Sequence, residues 1–101
     1  MLNRKQKEFL KHYSSTNQIL KFNIGKNLID QNVIDMINNA LNKYELIKLN
    51  FLKSSLENKS LEEMLLDLSS KLHFDIIFKI GKVVTIYREN KKSNLHININ
   101  V

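Results

Sequence analysis

Segments with helical and with strand-like spacing of apolar residues alternate along this chain, and this alternation limits the folds that it can adopt. The predicted elements are helices at residues 2–13, 30–44 and 60–72 and strands at residues 19–24, 46–52, 75–80 and 83–88. Helices that alternate with strands and end in a hairpin are typical of an α/β fold. The order αβαβαββ therefore predicts one domain, in which three helices pack on a mixed four-stranded sheet.

Turn and cap signals separate these elements. Residues 14–17 are polar and predict a turn after the first helix, whereas Asp30 and Ser60 are suited to cap the second and third helices. Glu63 follows Ser60 at the spacing of a capping box. Gly81 begins a connection that predicts a tight hairpin between the last two strands.

Composition excludes several kinds of site. The chain has no cysteine, so disulfides, cysteine-ligated zinc and thiol catalysis are absent. His12, His73 and His96 are far apart and match no metal-ligand spacing, so we expect neither a metal nor a cofactor. No signal peptide and no apolar run of about 18 residues is visible, and a soluble cytoplasmic protein is therefore expected.

No catalytic group of residues can be assembled from the sequence. Glu62, Glu63 and Asp67 lie close together on the third helix but opposite its leucine face, which indicates a solvated acidic surface. The serine pairs at residues 14–15 and 54–55 have no histidine partner at a predictable spacing. We therefore expect a protein that is not an enzyme.

Positive charge is concentrated near the N-terminus. Residues 1–26 contain six basic residues and one acid, a net charge of +5, whereas residues 27–101 contain ten basic residues and nine acids, a net charge of +1. A general enrichment in Asn, Lys and Ile would not be expected to segregate charge in this way. A basic surface of this kind attracts a polyanion, most often nucleic acid, although a membrane surface attracts through the same charges.

Three groups of residues are candidates for contact with RNA. They lie on the first helix, in the loop before the second helix and near strand ends: Arg4, Lys5, Lys7 and Lys11; Gly25, Lys26, Asn27 and Leu28; Lys48 and Lys82. A glycine and the free amide groups of a helix start favour phosphate. Lysine outnumbers arginine fourteen to two, which favours contact with the backbone and shape of a structured RNA over base recognition. A lysine-rich solvated surface without a partner is the alternative.

Four blocks of sequence resemble one family. They are residues 2–10 (Leu-Asn-Arg-Lys-Gln-Lys-Glu-Phe-Leu), 24–27 (Ile-Gly-Lys-Asn), 45–48 (Glu-Leu-Ile-Lys) and 80–88, where Ile-Gly-Lys is followed by Ile-Tyr-Arg. In this order and spacing they make residues 1–90 similar to the bacterial YhbY family, the stand-alone form of the CRM domain. The resemblance implies a fold similar to the C-terminal domain of translation initiation factor three. It also implies binding to ribosomal RNA and a role, without catalysis, in maturation of the large ribosomal subunit.

The resemblance further implies where RNA would bind. The family carries a Gly-x-x-Gly loop comparable to that of KH domains, where such a loop clamps a nucleotide backbone. Its counterpart here is residues 25–28, with Leu28 at the position of the second glycine. A leucine side chain beside the phosphate path is expected to alter the geometry of the loop or to weaken its affinity. The tail, residues 91–101, lies outside the resemblance, and its alternating apolar residues are compatible with an edge strand.

The sequence is compatible with two other functions. The chain could be a general binder or chaperone of structured RNA, without preference for ribosomal RNA. It could instead be a protein-interaction module that docks a partner through the acidic third helix or the tail strand.

Overall fold

The computed structural model describes residues 2–25, 30–57 and 59–89. Its elements, in chain order, are α1 (Arg4–Thr16), β1 (Lys21–Ile24), α2 (Gln31–Tyr44), β2 (Leu46–Phe51), a short 3-10 helix (Lys53–Leu56), α3 (Leu61–Lys71), β3 (Asp75–Ile80) and β4 (Val83–Tyr87). The predicted order αβαβαββ is confirmed; the 3-10 helix is an addition to it.

The four strands form one mixed sheet in the order β1-β2-β4-β3. β1 runs parallel to β2, because α2 carries the chain back across the sheet between them, and the other two pairs are antiparallel. Gly81 has a φ of 60° in the two-residue connection between β3 and β4. A positive φ at this first central position is the conformation that a type II′ turn needs and that glycine readily adopts.

The larger core lies between one face of the sheet and helices α2 and α3. Alternate residues of β2, Ile47, Leu49 and Phe51, belong to it together with Ile37 of α2 and Leu68 of α3, and all five are fully buried. The three β2 residues share this face because alternate residues of a strand point to the same side. The cluster holds α2 and α3 on the same face.

Helix α1 packs on the opposite face of the sheet. Leu10 has no exposed surface and lies among Leu46, Ile77 and Tyr87, with Phe9 and Tyr13 packed around this second cluster. The cluster is smaller than the first, and its buried sheet residues are Leu46 at the start of β2, Ile77 within β3 and Tyr87 at the end of β4. The described residues therefore form three layers, with α1 as the helix on this side of the sheet.

Side-chain caps fix the starts of the helices. The Asp30 carboxylate accepts a hydrogen bond from the Val33 amide at 2.9 Å, so the predicted N-cap of α2 is confirmed. Ser60 and Glu63 form both bonds of the predicted capping box of α3. Helix α1 has a capping box as well, in which Asn3 and Gln6 bond reciprocally.

The predicted turn at residues 14–17 was wrong, because α1 continues through Thr16. The hydroxyls there bond back to the preceding turn of helix: Ser14 Oγ and Ser15 Oγ donate to the Lys11 carbonyl at 2.7 and 2.8 Å, and Thr16 Oγ1 donates to the His12 carbonyl at 3.0 Å. Such bonds are compatible with helix, and no glycine or proline is present to end it earlier. The extra turn carries α1 further over the sheet.

A register shift in β3 changes which of its side chains face α1. Ile76 pairs with Ile86, whereas Phe78 pairs with Thr85, so Ile77 is an extra residue on this strand. A bulge of this kind puts two successive residues on the same side. Ile77 and Phe78 both join the α1 cluster as a result.

A polar network closes the end of the sheet beneath α1. Glu45 is buried with a φ of 65°, which is unusual for a residue with a side chain. Its carboxylate accepts a hydrogen bond from the Tyr87 hydroxyl at 3.3 Å, and its carbonyl accepts one from the Arg88 amide at 2.9 Å. Burial, and then the negative charge of Glu45, raise the pKa of Tyr87, so this hydroxyl remains a donor across the ordinary pH range.

Arg88 joins β4 to helix α2. Its Nη2 atom donates to the Asn38 carbonyl at 3.1 Å, to Asn38 Oδ1 at 2.9 Å and to Asn42 Oδ1 at 2.7 Å. Its Nη1 atom reaches the His73 carbonyl at 3.4 Å. This arginine therefore has a structural role, since its donors are directed at the protein itself.

Candidate nucleic-acid interface

Helix α1 covers only part of its side of the sheet, and the uncovered part forms a groove. We call it the sheet groove; it has a volume of about 350 Å³. The side chains that matter for its chemistry are Lys11, Lys21, Lys48, Phe78, Ile80 and Val83. Three lysines and no carboxylate are among its described lining residues, so the groove favours an anion.

Two of these lysines lie directly beside each other. Lys21 of β1 and Lys48 of β2 are paired in the parallel register and both line the groove. Like charges at paired positions of a sheet repel, at a cost of roughly 0.2–1 kcal/mol. None of the ion pairs among residues 2–25, 30–57 and 59–89 involves either lysine. A bound anion would relieve this repulsion.

The third lysine comes from α1. The Lys11 ammonium lies 5.4 Å from the centre of the Phe78 ring, a distance at which a cation is attracted to the face of an aromatic ring. Phe78 is on the groove side of β3 because of the bulge at Ile77. The ring therefore holds the Lys11 charge at the edge of the groove that faces α1.

An amide pair continues the polar surface toward the end of β1. Asn50 Nδ2 donates to Asn23 Oδ1 at 3.1 Å, and these two residues are paired in the register two positions beyond Lys21 and Lys48. Because alternate residues of a strand share a face, the amides and the lysines lie on the same side of the sheet. The surface thus runs from the groove to Gly25.

Gly25 and Lys82 meet at this end of the sheet. The Leu52 amide donates to the Ile24 carbonyl, just before Gly25, and the Phe51 amide donates to the Lys82 carbonyl, each at 2.9 Å. Of the predicted contact residues, Gly25 and Lys82 therefore lie at the same end of the sheet. Lys26, Asn27 and Leu28, the rest of the predicted loop, lie outside the described residues, as does the predicted tail strand at residues 91–101.

The packing of the described residues does not require a glycine at position 25. Gly25 has no positive φ, and a Cβ atom built on it would come no closer than 4.0 Å to another described side chain, at Leu52 Cδ1. This is an ordinary van der Waals distance, so alanine fits among the described residues.

The other basic residues of α1, which are Arg4, Lys5 and Lys7, do not line the sheet groove. Arg4 and Lys7 line a second depression, between α1 and β3, which Lys11 shares with the sheet groove. Arg4 also pairs with Glu8 at 3.2 Å. Lys5 lines neither depression, since it is one residue, or about 100°, around the helix from Arg4.

Sequence reasoning missed part of this surface. Lys21, Phe78, Ile80 and Val83 were not among the predicted contact residues, although Lys21 was counted in the basic segment. In β1 and β2, polar residues occupy alternate positions, and this pattern could have placed Lys21 on the same face of the sheet as Lys48. Phe78 and Ile80 reach this surface because of the bulge in β3, for which the sequence has no recognisable sign.

The acidic surface predicted on α3 is largely neutralised. Asp67 lies 3.6 Å from the Lys71 ammonium and 4.0 Å from that of Lys59, and Glu62 lies 3.6 Å from that of Lys79. Glu63 is engaged in the capping box. Little net negative charge is left there for a basic partner.

Two kinds of site do not occur in the described part of the chain. No group of three or more His, Cys, Asp or Glu side chains that could hold a metal ion occurs among these residues. None of the helices described is long and apolar enough to cross a membrane.

The fold and the groove together define a small α/β domain with a basic, partly apolar face for a polyanion. A family model for the CRS1/YhbY (CRM) domain matches residues 2–88. The chain therefore belongs to the CRS1/YhbY family, as the four sequence blocks predicted. This is an RNA-binding family and not a family of enzymes.

One solved structure is similar to this chain over almost its whole length. It is the solution structure of the hypothetical protein SAV1595 from Staphylococcus aureus, described as a candidate RNA-binding protein. The two chains are 34% identical with a TM-score of 0.67, and the match covers 90% of this chain and 92% of the other. The comparison confirms the α/β arrangement of three helices on a mixed four-stranded sheet. No curated protein gives a significant match.

Proposed function

We propose that this protein binds ribosomal RNA of the large subunit and acts in the maturation of that subunit. Contact is made by the α1 side of the sheet and by the loop at residues 25–28. Membership of an RNA-binding family supports RNA as the partner. The observation that carries the proposal is the placement of Lys11, Lys21 and Lys48 around one groove, with no acid among the lining residues that the structure describes.

The type of charged residue supports contact with the RNA backbone. Both arginines of the chain are engaged with protein groups, Arg4 with Glu8 and Arg88 with α2. The charged side chains described along the groove are lysines, which contact phosphates as point charges. Recognition of this RNA should therefore depend on its shape and phosphate positions more than on base edges.

Competition between RNAs tests the proposed partner. The protein is bound to labelled large-subunit ribosomal RNA, and either the same RNA or an unrelated structured RNA of equal length is added without label. Because total charge is matched, counterion release is also matched and only the fit to the RNA differs. We expect the ribosomal RNA to compete at least tenfold better. Equal competition would identify a general binder of structured RNA.

Gly25→Ala should separate binding from folding. The substitution fits the protein, and loss of chain freedom in the unfolded state should leave stability unchanged or raise it by up to about 1 kcal/mol. The added methyl group blocks close approach of a phosphate to the backbone, and loss of one such bond should weaken RNA binding about tenfold. Thermal unfolding and RNA titration measure the two effects. Full affinity in the folded variant would remove Gly25 from the contact.

A further inference from the structure

We infer that the sheet groove holds one unpaired nucleotide of the bound RNA, with its base on the apolar floor and its phosphate among the lysines. The inference rests on the proposed RNA-binding function and deepens it. Phosphate binding alone gives no role to Ile80, Val83 and Phe78, and the inference assigns one to them.

The floor of the groove, formed by Phe78, Ile80, Val83 and Thr85, is largely apolar where a solvated basic surface would be polar. Ile80 is 67% exposed and pairs in the register with Val83, and both line the groove beside Phe78. An isoleucine kept this exposed gains nothing from the protein core. It would gain from contact with a flat apolar partner.

The charges around this floor match a nucleotide. Lys21 and Lys48 lie on one side and Lys11 on the other, held over the Phe78 ring. A volume of about 350 Å³ is within the range of about 300–1,000 Å³ that small-molecule sites occupy. An anion joined to a flat ring therefore fits the groove in charge, in surface character and in size.

An unpaired nucleotide fits better than a duplex. In an A-form helix the bases are stacked and hidden, and proteins meet phosphates and 2′-hydroxyls, which lysines alone can serve. Only a base that has left the stack presents the face that Ile80 and Val83 can cover. An acidic peptide would use the lysines equally well but would leave the apolar floor without a specific role.

Two substitutions at Ile80 test the inference in opposite directions. Because this side chain is mostly exposed, neither should disturb the fold. Ile80→Ser should weaken binding to a short single-stranded RNA about fivefold to tenfold. Ile80→Tyr, which offers a ring for stacking, should strengthen it about fivefold or more. Binding to a fully paired RNA duplex of the same length should not change in either variant.

Leu66→Ser is the matched control. Leu66 is 72% exposed and lies on α3, in the layer on the other side of the sheet, so the same loss of apolar surface there should leave both affinities unchanged. Equal effects of the Ile80 variants on duplex and single strand, or no effect on either, would overturn the inference. A polyglutamate peptide that binds as tightly as RNA and responds equally to Ile80→Ser would also overturn it. If the unaltered protein binds neither RNA, the proposed function itself fails.

Discussion

Replacing Lys11, Lys21 and Lys48 together by glutamine should abolish most of the RNA affinity while leaving the fold intact. Each phosphate contact contributes about 0.7–0.9 to the slope of log affinity against log salt. Loss of contact with one to three phosphates should therefore reduce the slope by about one to three and the affinity at about 0.1 M salt by roughly one to three orders of magnitude. Titration of RNA at several salt concentrations measures both quantities.

The same variant should keep about the stability of the unaltered protein. Lys21 and Lys48 repel each other across the β1–β2 pair, and glutamine removes that repulsion, whereas loss of the Lys11 charge removes its attraction to the Phe78 ring. Because these two effects are similar in size and opposite in sign, we expect the free energy of unfolding to change by less than about 1 kcal/mol. Stability that is kept while binding falls is the behaviour of residues placed for a ligand.

A second triple variant controls for total charge. Lys43 belongs to α2, Lys59 to the segment before α3 and Lys71 to α3. Their replacement by glutamine removes the same charge from the layer opposite α1. Lys59 and Lys71 also pair with Asp67, so a small loss of stability is expected. RNA affinity should fall far less than in the groove variant. Equal losses would show that only the net charge of the protein matters.

Leu10→Ala should lower the free energy of unfolding by about 3 kcal/mol. Leu10 is fully buried and packs against Leu46, Ile77 and Tyr87, and large-to-small changes at such sites leave a cavity in addition to the lost apolar contact. The small α1 cluster gives the helix few other attachments to the sheet. Urea denaturation measures the loss.

The position of α1 links this stability effect to binding. Hydrogen exchange should show that amides of α1 lose protection in Leu10→Ala before those of β2, because only the α1 cluster is damaged. Leu66→Ala is the control, and a change of less than about 0.5 kcal/mol is expected for this exposed leucine. A stability loss below about 1 kcal/mol in Leu10→Ala would show that α1 is not held by this contact.

The elements of the fold could be predicted because local patterns agree with the final structure. The apolar spacing of α2 and α3, the caps at Asp30 and Ser60, and the glycine turn at Gly81 each specify a local structure independently. The end of α1 could not be predicted in this way. Serine and threonine are common in turns, and only their bonds to preceding carbonyls show that they continue the helix.

The candidate site was predictable only in its charge. The basic first helix indicated a polyanion, and Lys11 and Lys48 do lie in one groove. The pairing of Lys21 with Lys48 depends on the register of two strands separated by a helix. The position of Ile80 depends on one extra residue in β3. Contacts of this kind arise from the assembled sheet, so local patterns do not specify them.

Ultraviolet crosslinking in living cells, with the crosslinked nucleotides and the crosslinked peptides both identified, tests the central claim most directly. The proposal predicts that the nucleotides come mainly from large-subunit ribosomal RNA. It also predicts that the crosslinked residues lie on α1, at the loop after Gly25 and around Lys48 and Ile80. Crosslinks mainly to other RNAs would contradict the proposed partner. Crosslinks concentrated on α2 and α3 would contradict the proposed surface.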